Sequence, residues 1–360
     1  MTLHCSGLRL VIDLKKIGHN AKTIVELCSR YGINVVGVTK VVCAHPKIVH
    51  VLENSGIRKF ADSRLKNIIH LRTAGFENEI ALLRVPMKSE AVEAVHYADC
   101  SYQSELEVMD QFHWAAKKCN KIHNVILMME AGDLREGILP RELDSFMEQI
   151  LSYSHIRLQG LAINVGCYGG VRPSYQNTSL LVGWKEYIES KYQLDLPILS
   201  GGSSSTLQLL EEGKLPPEIN ELRIGEAIFL AGVSSGVCLA GGYRDAFELL
   251  AEIIEIREKP SVPTGEIDVD SFGRKPHFVN KGIRKRAILA IGRQDVSPYA
   301  LAPRLQGMEI LGASSDHMIV DITDVSIPLH VGDSVSFLPD YGGLLALMTS
   351  PYVIKDFLPF

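Results

Sequence analysis

Eight short apolar runs, each followed by enough chain for a helix, occupy residues 15 to about 230. They end near Lys40, Asp62, Arg84, Ser101, Glu130, Asn164, Ser200 and Arg223. A strand buried on both faces reads as a continuous apolar run, so this alternation predicts parallel strands covered by helices. Eight consecutive units are expected to close into a (β/α)8 TIM barrel rather than an open sheet. Residues 15–30 show the helical half of the pattern, with Ile17, Ile24, Val25, Leu27 and Cys28 on one side. The residues that end the runs are unusually polar for what precedes them. Working groups in such barrels gather at the C-terminal strand ends, so a site is expected there.

Beyond about residue 240 the rhythm changes. Ala251 to Ile256, Arg286 to Ile291 and Met318 to Ile322 are short strand-like runs separated by Gly, Pro and Asp. Helical periodicity is weak, so a mostly β domain is expected. Leu8 to Asp13 is one more strand candidate, ahead of the barrel and able to pair with that domain instead. The expected organisation is an N-terminal strand in 1–13, a barrel over 14–238 and a β domain over 239–360. With 360 residues, 46% of them hydrophobic, the chain has material for both cores.

A net charge of −5 argues against nucleic acid or an acidic membrane as partner. No segment approaches the roughly 18 apolar residues of a membrane span. The apolar stretch from Leu8 holds Asp13 and lacks a cleavage site, so no signal peptide is expected. Seven scattered cysteines without a Cys-x-x-Cys motif fit reduced thiols in a cytoplasmic protein, with neither disulfides nor a metal site.

Lys40 follows Ile33-Asn34-Val35-Val36-Gly37-Val38-Thr39, the first barrel run. A cation is costly beside such a strand unless it has a partner or a task. A partly desolvated lysine loses its proton more easily and can attack a carbonyl; the bland alternative is a side chain reaching for water. Ser200-Gly201-Gly202-Ser203-Ser204-Ser205 follows another run and precedes a helix start, and Arg223-Ile224-Gly225-Glu226 supplies a second such turn. Glycine admits an anion close to the backbone, and hydroxyls and helix N–H groups bind it. Loops after strands 7 and 8 are the usual phosphate place in this fold. A carbonyl-reactive lysine and a phosphate site at one mouth fit pyridoxal 5′-phosphate (PLP).

Val38-Thr39-Lys40-Val41, Ala61-Asp62-Ser63-Arg64, Gly132-Asp133-Leu134-Arg135-Glu136-Gly137, Cys167-Tyr168-Gly169-Gly170-Val171, the Ser200 and Arg223 segments, and Ile310-Leu311-Gly312-Ala313-Ser314-Ser315-Asp316-His317 are specific strings. On these the chain resembles the fold-type III PLP enzymes of the alanine racemase family, most closely the ornithine racemase branch. The resemblance implies a homodimer with a PLP-binding barrel and a β domain. Lys40 would hold the cofactor covalently and move the α-proton on one face. Arg223 would bond the pyridine nitrogen and, staying protonated, keep that nitrogen unprotonated, which suits proton exchange over decarboxylation. Ser204 and the backbone at Gly225 and Glu226 would hold the phosphate, with Tyr352 as a further contact. Asn164 falls where the family has a histidine against the ring, and Arg135 matches an arginine near the substrate carboxylate.

There are departures from the pattern. Ala44 stands for a phosphate-binding tyrosine, and a modified lysine of the family is replaced near Met128. Threonine, Thr264, occupies the place of the second base. Asp268, Asp270, Ser315, His317 or a water are the other candidates for that role. The branch implies ornithine, lysine or another basic amino acid as substrate, with Asp316 as acceptor for the distal ammonium. Alternatives are a non-catalytic PLP carrier or another enzyme of this class, namely an alanine racemase, a decarboxylase or a D-amino-acid lyase. Cys43 and Cys167 read as small apolar fillers, and His317 as a structural histidine.

Overall fold

A computed structural model describes residues 7–233, 236 and 238–358. The chain divides into two compact units, one spanning Lys15–Arg244 and the other joining the residues up to Leu14 to those from Asp245 onward.

The first unit is a closed parallel barrel of eight strands. Strand β1 (Arg9–Asp13) precedes it and belongs to the other unit. The staves are β2 (Asn34–Val38), β3 (Lys59–Asp62), β4 (Glu79–Leu82), β5 (Cys100–Gln103), β6 (His123–Met129), β7 (Ile156–Ile163), β8 (Ile198–Ser203) and β9 (Glu221–Ile224). Closure comes from β2 pairing in parallel with β9, with Gly37 opposite Ile224. Each expected apolar run is a stave. Val36, Ala61, Ala81, Cys100, Tyr102, Ile126, Met128 and Ala162 fill the interior. The small side chains at Ala61, Ala81 and Ala162 leave room for the buried ring of Tyr102, as an eight-strand barrel is packed solid rather than hollow.

Helices cover the outside, beginning with Leu14–Ser29. Asn20 on that helix is fully buried and clips the end of the unit. Its amide donates to the carbonyls of Ile228 (3.0 Å) and Tyr243 (2.9 Å), and its oxygen accepts the Tyr243 N–H (2.8 Å). The expected boundary at 238–239 therefore lies just inside the barrel unit, whose chain stays attached through Arg244.

The second unit contains β10 (Phe247–Pro260), β11 (Ile283–Leu289), β12 (Leu301–Pro303), β13 (Glu309–Ala313), β14 (Met318–Asp321), β15 (Ser334–Pro339) and β16 (Ile354–Leu358). The sheet order is β12-β15-β10-β11-β14-β13. The N-terminal strand β1 pairs antiparallel with β10 and parallel with β16, so the two chain ends are stitched into one sheet. Its burial alternates, which faces Leu10 and Ile12 into that core.

Candidate active site

Lys40 begins a short 3-10 turn immediately after β2 and Thr39. The turn exists because Thr39 is anchored: its hydroxyl donates to the Asp62 carboxylate at 2.8 Å. Asp62 also accepts from the Arg64 N–H (2.9 Å) and the Asn67 amide (3.0 Å). Burial pushes the Asp62 carboxyl above its ordinary range, against these hydrogen bonds and the nearby charge of Lys40. The ammonium of Lys40 itself is half-buried and makes no hydrogen bond or ion pair with any described residue.

Arg223 projects inward from β9 and is buried. Its guanidinium donates to the Ser200 hydroxyl (2.5 Å) and carbonyl (3.3 Å) and to the Ile163 carbonyl (2.6 Å). A guanidinium has five N–H groups, so two remain without an acceptor among the described residues. No described carboxylate forms an ion pair with it. Instead it lies over the Tyr102 ring, 5.2 Å from the centroid. The Tyr102 hydroxyl donates to Glu221 at 3.2 Å, and burial, then the Glu221 charge, hold it protonated.

Ser204 follows β8. Its hydroxyl oxygen accepts the N–H groups of Gly225 (3.3 Å) and Ala227 (3.2 Å). The hydroxyl hydrogen has no acceptor among the described residues. Gly225 is required there, since a Cβ would meet the Val38 carbonyl oxygen at 2.9 Å. Glu226 is the first residue of the helix Glu226–Leu230 that opens on this turn. Asn164, just beyond β7, has a buried amide nitrogen with no hydrogen-bond partner.

Lys40, Gly225, Glu226, Arg223, Ser204 and Asn164 thus sit at the same end of four adjacent staves, β2, β9, β8 and β7. The donors fit PLP. Two spare guanidinium N–H groups and an orphaned amide await ring acceptors, and a serine hydroxyl with a nearby turn of N–H groups suits its phosphate. A free amine stands on the neighbouring stave for its aldehyde.

Arg135 lies on the next loop, after β6. It pairs through both Nε and Nη2 with Glu136, the Nη2 contact at 2.6 Å, and also touches Cys167. Cys167 is exposed, not a buried filler. Ser101 points away from the interior, bonded to His123 at 2.9 Å and to Gln103 at 2.9 Å. Burial lowers the His123 pKa to about 4, so this network is neutral.

The remaining candidates lie on the second unit. Thr264 and Asp268 are exposed. Asp270 accepts the N–H groups of Arg274 and Phe272, both at 2.9 Å, which hold its carboxyl below the usual range. In the turn between β13 and β14, Asp316 Oδ1 accepts from Ser314 (3.1 Å), Ser315 (3.1 Å) and His317 Nδ1 (3.0 Å). Its Oδ2 has no partner among the described residues. Tyr352 is exposed, its N–H donating to Ser350.

Residues 12–232 match the family described as alanine racemase, N-terminal domain. The chain belongs to the alanine racemase family. It is 42% identical to an ornithine racemase of Acetoanaerobium sticklandii over 352 residues, covering 97% of this chain and 99% of that one. It is 40% identical to a lysine racemase of Thermotoga maritima, covering 98% of each. An alanine racemase from Streptomyces lavendulae shares the fold, with a TM-score of 0.77 at 16% identity over 99% of this chain and 98% of the other.

Two groups in this site escape the sequence. Tyr102 is nowhere singled out there, and Asp133 sits in a family string without a role. Asp133 is buried, and its carboxylate accepts four backbone N–H groups: Gly166 (3.1 Å), Cys167 (3.3 Å), Tyr168 (2.9 Å) and Gly169 (3.0 Å). Burial alone would raise its pKa; the four donors outweigh it and hold the carboxyl below the ordinary aspartate value.

Proposed function

We propose that this family member is a PLP-dependent racemase of ornithine and related basic amino acids, acting by removal and return of the α-proton. The observation that carries it is the unpartnered Lys40 amine at one mouth with the two spare N–H groups of Arg223. When bound, PLP supplies an electron sink for the α-carbon. Arg223 binds and orients the ring, Asn164 donates to it, and Ser204 with the backbone at Gly225 and Glu226 holds the phosphate. Lys40 takes and returns a proton on one face. Arg135 receives the substrate carboxylate. Identity with an ornithine racemase and a lysine racemase supports a basic side chain on the substrate.

For the second base, His317 has the best chemistry among the candidates, because a carboxylate oxygen holds its Nδ1. Asp316 suits the distal ammonium: three donors fix one oxygen and leave the other open. The Asp316→Ala variant is expected to lose about 10- to 100-fold in kcat/KM toward ornithine and much less toward alanine, the value of a charge-assisted hydrogen bond. Equal losses on both substrates would instead make Asp316 the residue that orients His317.

We place the enzyme in the cytoplasm as a homodimer, with Tyr352 as a further phosphate contact. Scattered cysteines fit a reducing compartment. No helix among the described residues is long and apolar enough to cross a membrane.

The test is exchange in D2O. With PLP and L-ornithine, α-deuteration and loss of optical rotation should advance together. Deuteration with retained chirality would leave only Lys40 acting as a base and overturn racemisation. Neither signal would favour a PLP carrier.

A further inference from the structure

The Asp133 carboxylate reaches from the loop after β6 into the loop after β7. Four convergent N–H groups form a small anion-binding concavity, and an internal carboxylate fills it. The fit is tight at Gly169, where a Cβ would meet the Asp133 carbonyl oxygen at 2.7 Å. The first loop also closes on itself. Glu130 accepts the N–H groups of Gly132 and Leu134, and at the loop's base the Glu130 N–H donates to the Ile138 carbonyl (3.1 Å) while the Ile138 N–H donates to the Met128 carbonyl (2.8 Å). This loop is therefore a formed piece that Asp133 docks onto its neighbour. Arg135 stands two residues beyond Asp133, and its guanidinium touches Cys167, whose N–H Asp133 holds. Asn164 stands two residues before Gly166 on the docked loop.

We propose that Asp133 is a positioning residue that locks the Arg135 loop to the Asn164–Gly169 loop, so that the substrate-carboxylate contact and the ring contact are held as one piece. This rests on the function proposed above, in which Arg135 meets the substrate. Asp133 touches neither substrate nor cofactor. Its effect is to remove a hinge between the groups that do, and effective positioning of this kind is lost with small displacements.

Asp133→Asn is the nearly isosteric test. Oδ1 holds Gly166 and Gly169, while Oδ2 holds Cys167 and Tyr168. Whichever oxygen becomes an amide, two N–H donors face another N–H. On the wild-type holoenzyme, amide hydrogen exchange at 166–169 should be at least ~100-fold slower than at exposed loop amides. In Asp133→Asn these amides should exchange faster, and KM for ornithine should rise about 10- to 100-fold, more than kcat falls, with the cofactor absorbance retained. Unprotected amides in the wild type would remove the clamp. Faster exchange with unchanged KM would reduce Asp133 to a structural group and overturn the proposal. Arg135→Lys, measured alongside, separates the two levels. If it leaves KM unchanged, the assignment of Arg135 to the carboxylate fails. If it raises KM while Asp133→Asn does not, only the clamp fails.

Discussion

Lys40→Ala should lower racemisation at least about a thousandfold and change stability at acid pH by no more than about 0.5 kcal/mol. The two effects separate because the Lys40 ammonium has no hydrogen-bonding or ion-pair partner among the described residues. Its removal deletes no structural contact of the turn, which Thr39 and Asp62 hold at 2.8 Å. Only a charge interaction with Asp62 is lost. Burial already raises that carboxyl, and losing Lys40 raises it further. A carboxyl whose folded pKa exceeds its unfolded value contributes stability below the unfolded pKa and loses it as pH rises through the folded one. The variant should therefore fall further behind the wild type at neutral pH than in mild acid, measured by denaturant unfolding at both. Borohydride reduction of the PLP-loaded protein should mark residue 40 in the wild type and no residue in the variant. Lys40→Arg should fail as Lys40→Ala does, although it keeps the charge. Retained activity in either variant, or a label on another lysine, would end the assignment.

The barrel was legible because each stave is an apolar run long enough to register against its helical neighbour. In the second unit, β10, β11 and β14 showed for the same reason. Strand β12 has three residues, and β13 buries none of its five fully, with a glycine and a register shift at Ile310/Gly312. Neither carries an apolar pattern to find. Within the site, Lys40, Ser204 and Arg223 stood out because a polar group at the end of an apolar run demands a reason. Tyr102 gave no such contrast. Its ring belongs to the core by size, and its hydroxyl finds Glu221 a full 119 residues away. Asp133 was hidden for a different reason. Its partners are main-chain N–H groups, which every sequence has, and only the loop conformation makes four of them converge. Cys167 misled in the opposite direction: a thiol reads as a small apolar filler, and this one is exposed.

Arg223→Lys, although it keeps the charge, should cost about 2 kcal/mol or more of stability and at least ~10-fold in PLP affinity. An isolated buried cation normally requires a carboxylate. Here the carboxylate, Glu221, is placed one layer below on the same stave, where it pairs with Lys59 at 3.8 Å and accepts from Tyr102. The Tyr102 ring then lies between the two charges, giving the guanidinium a π face at 5.2 Å without consuming a donor. With its counter-charge held back, Arg223 spends three N–H groups on Ser200 and Ile163 and keeps two for a ligand. Lysine can still sit over the ring, so the charge survives, but three donors on one nitrogen do not reach Ser200 and the Ile163 carbonyl as the separate Nη1 and Nη2 of the fork do. Buried acceptors would be orphaned at about 1–3 kcal/mol each. Thermal unfolding and a fluorescence titration of PLP would read both losses. Arg223→Gln should go further, since it removes the charge that the Tyr102 ring and Glu221 are arranged around. If the lysine variant matched the wild type in both measurements, a point charge would suffice at this place, and the planar fork would have no part in holding the cofactor.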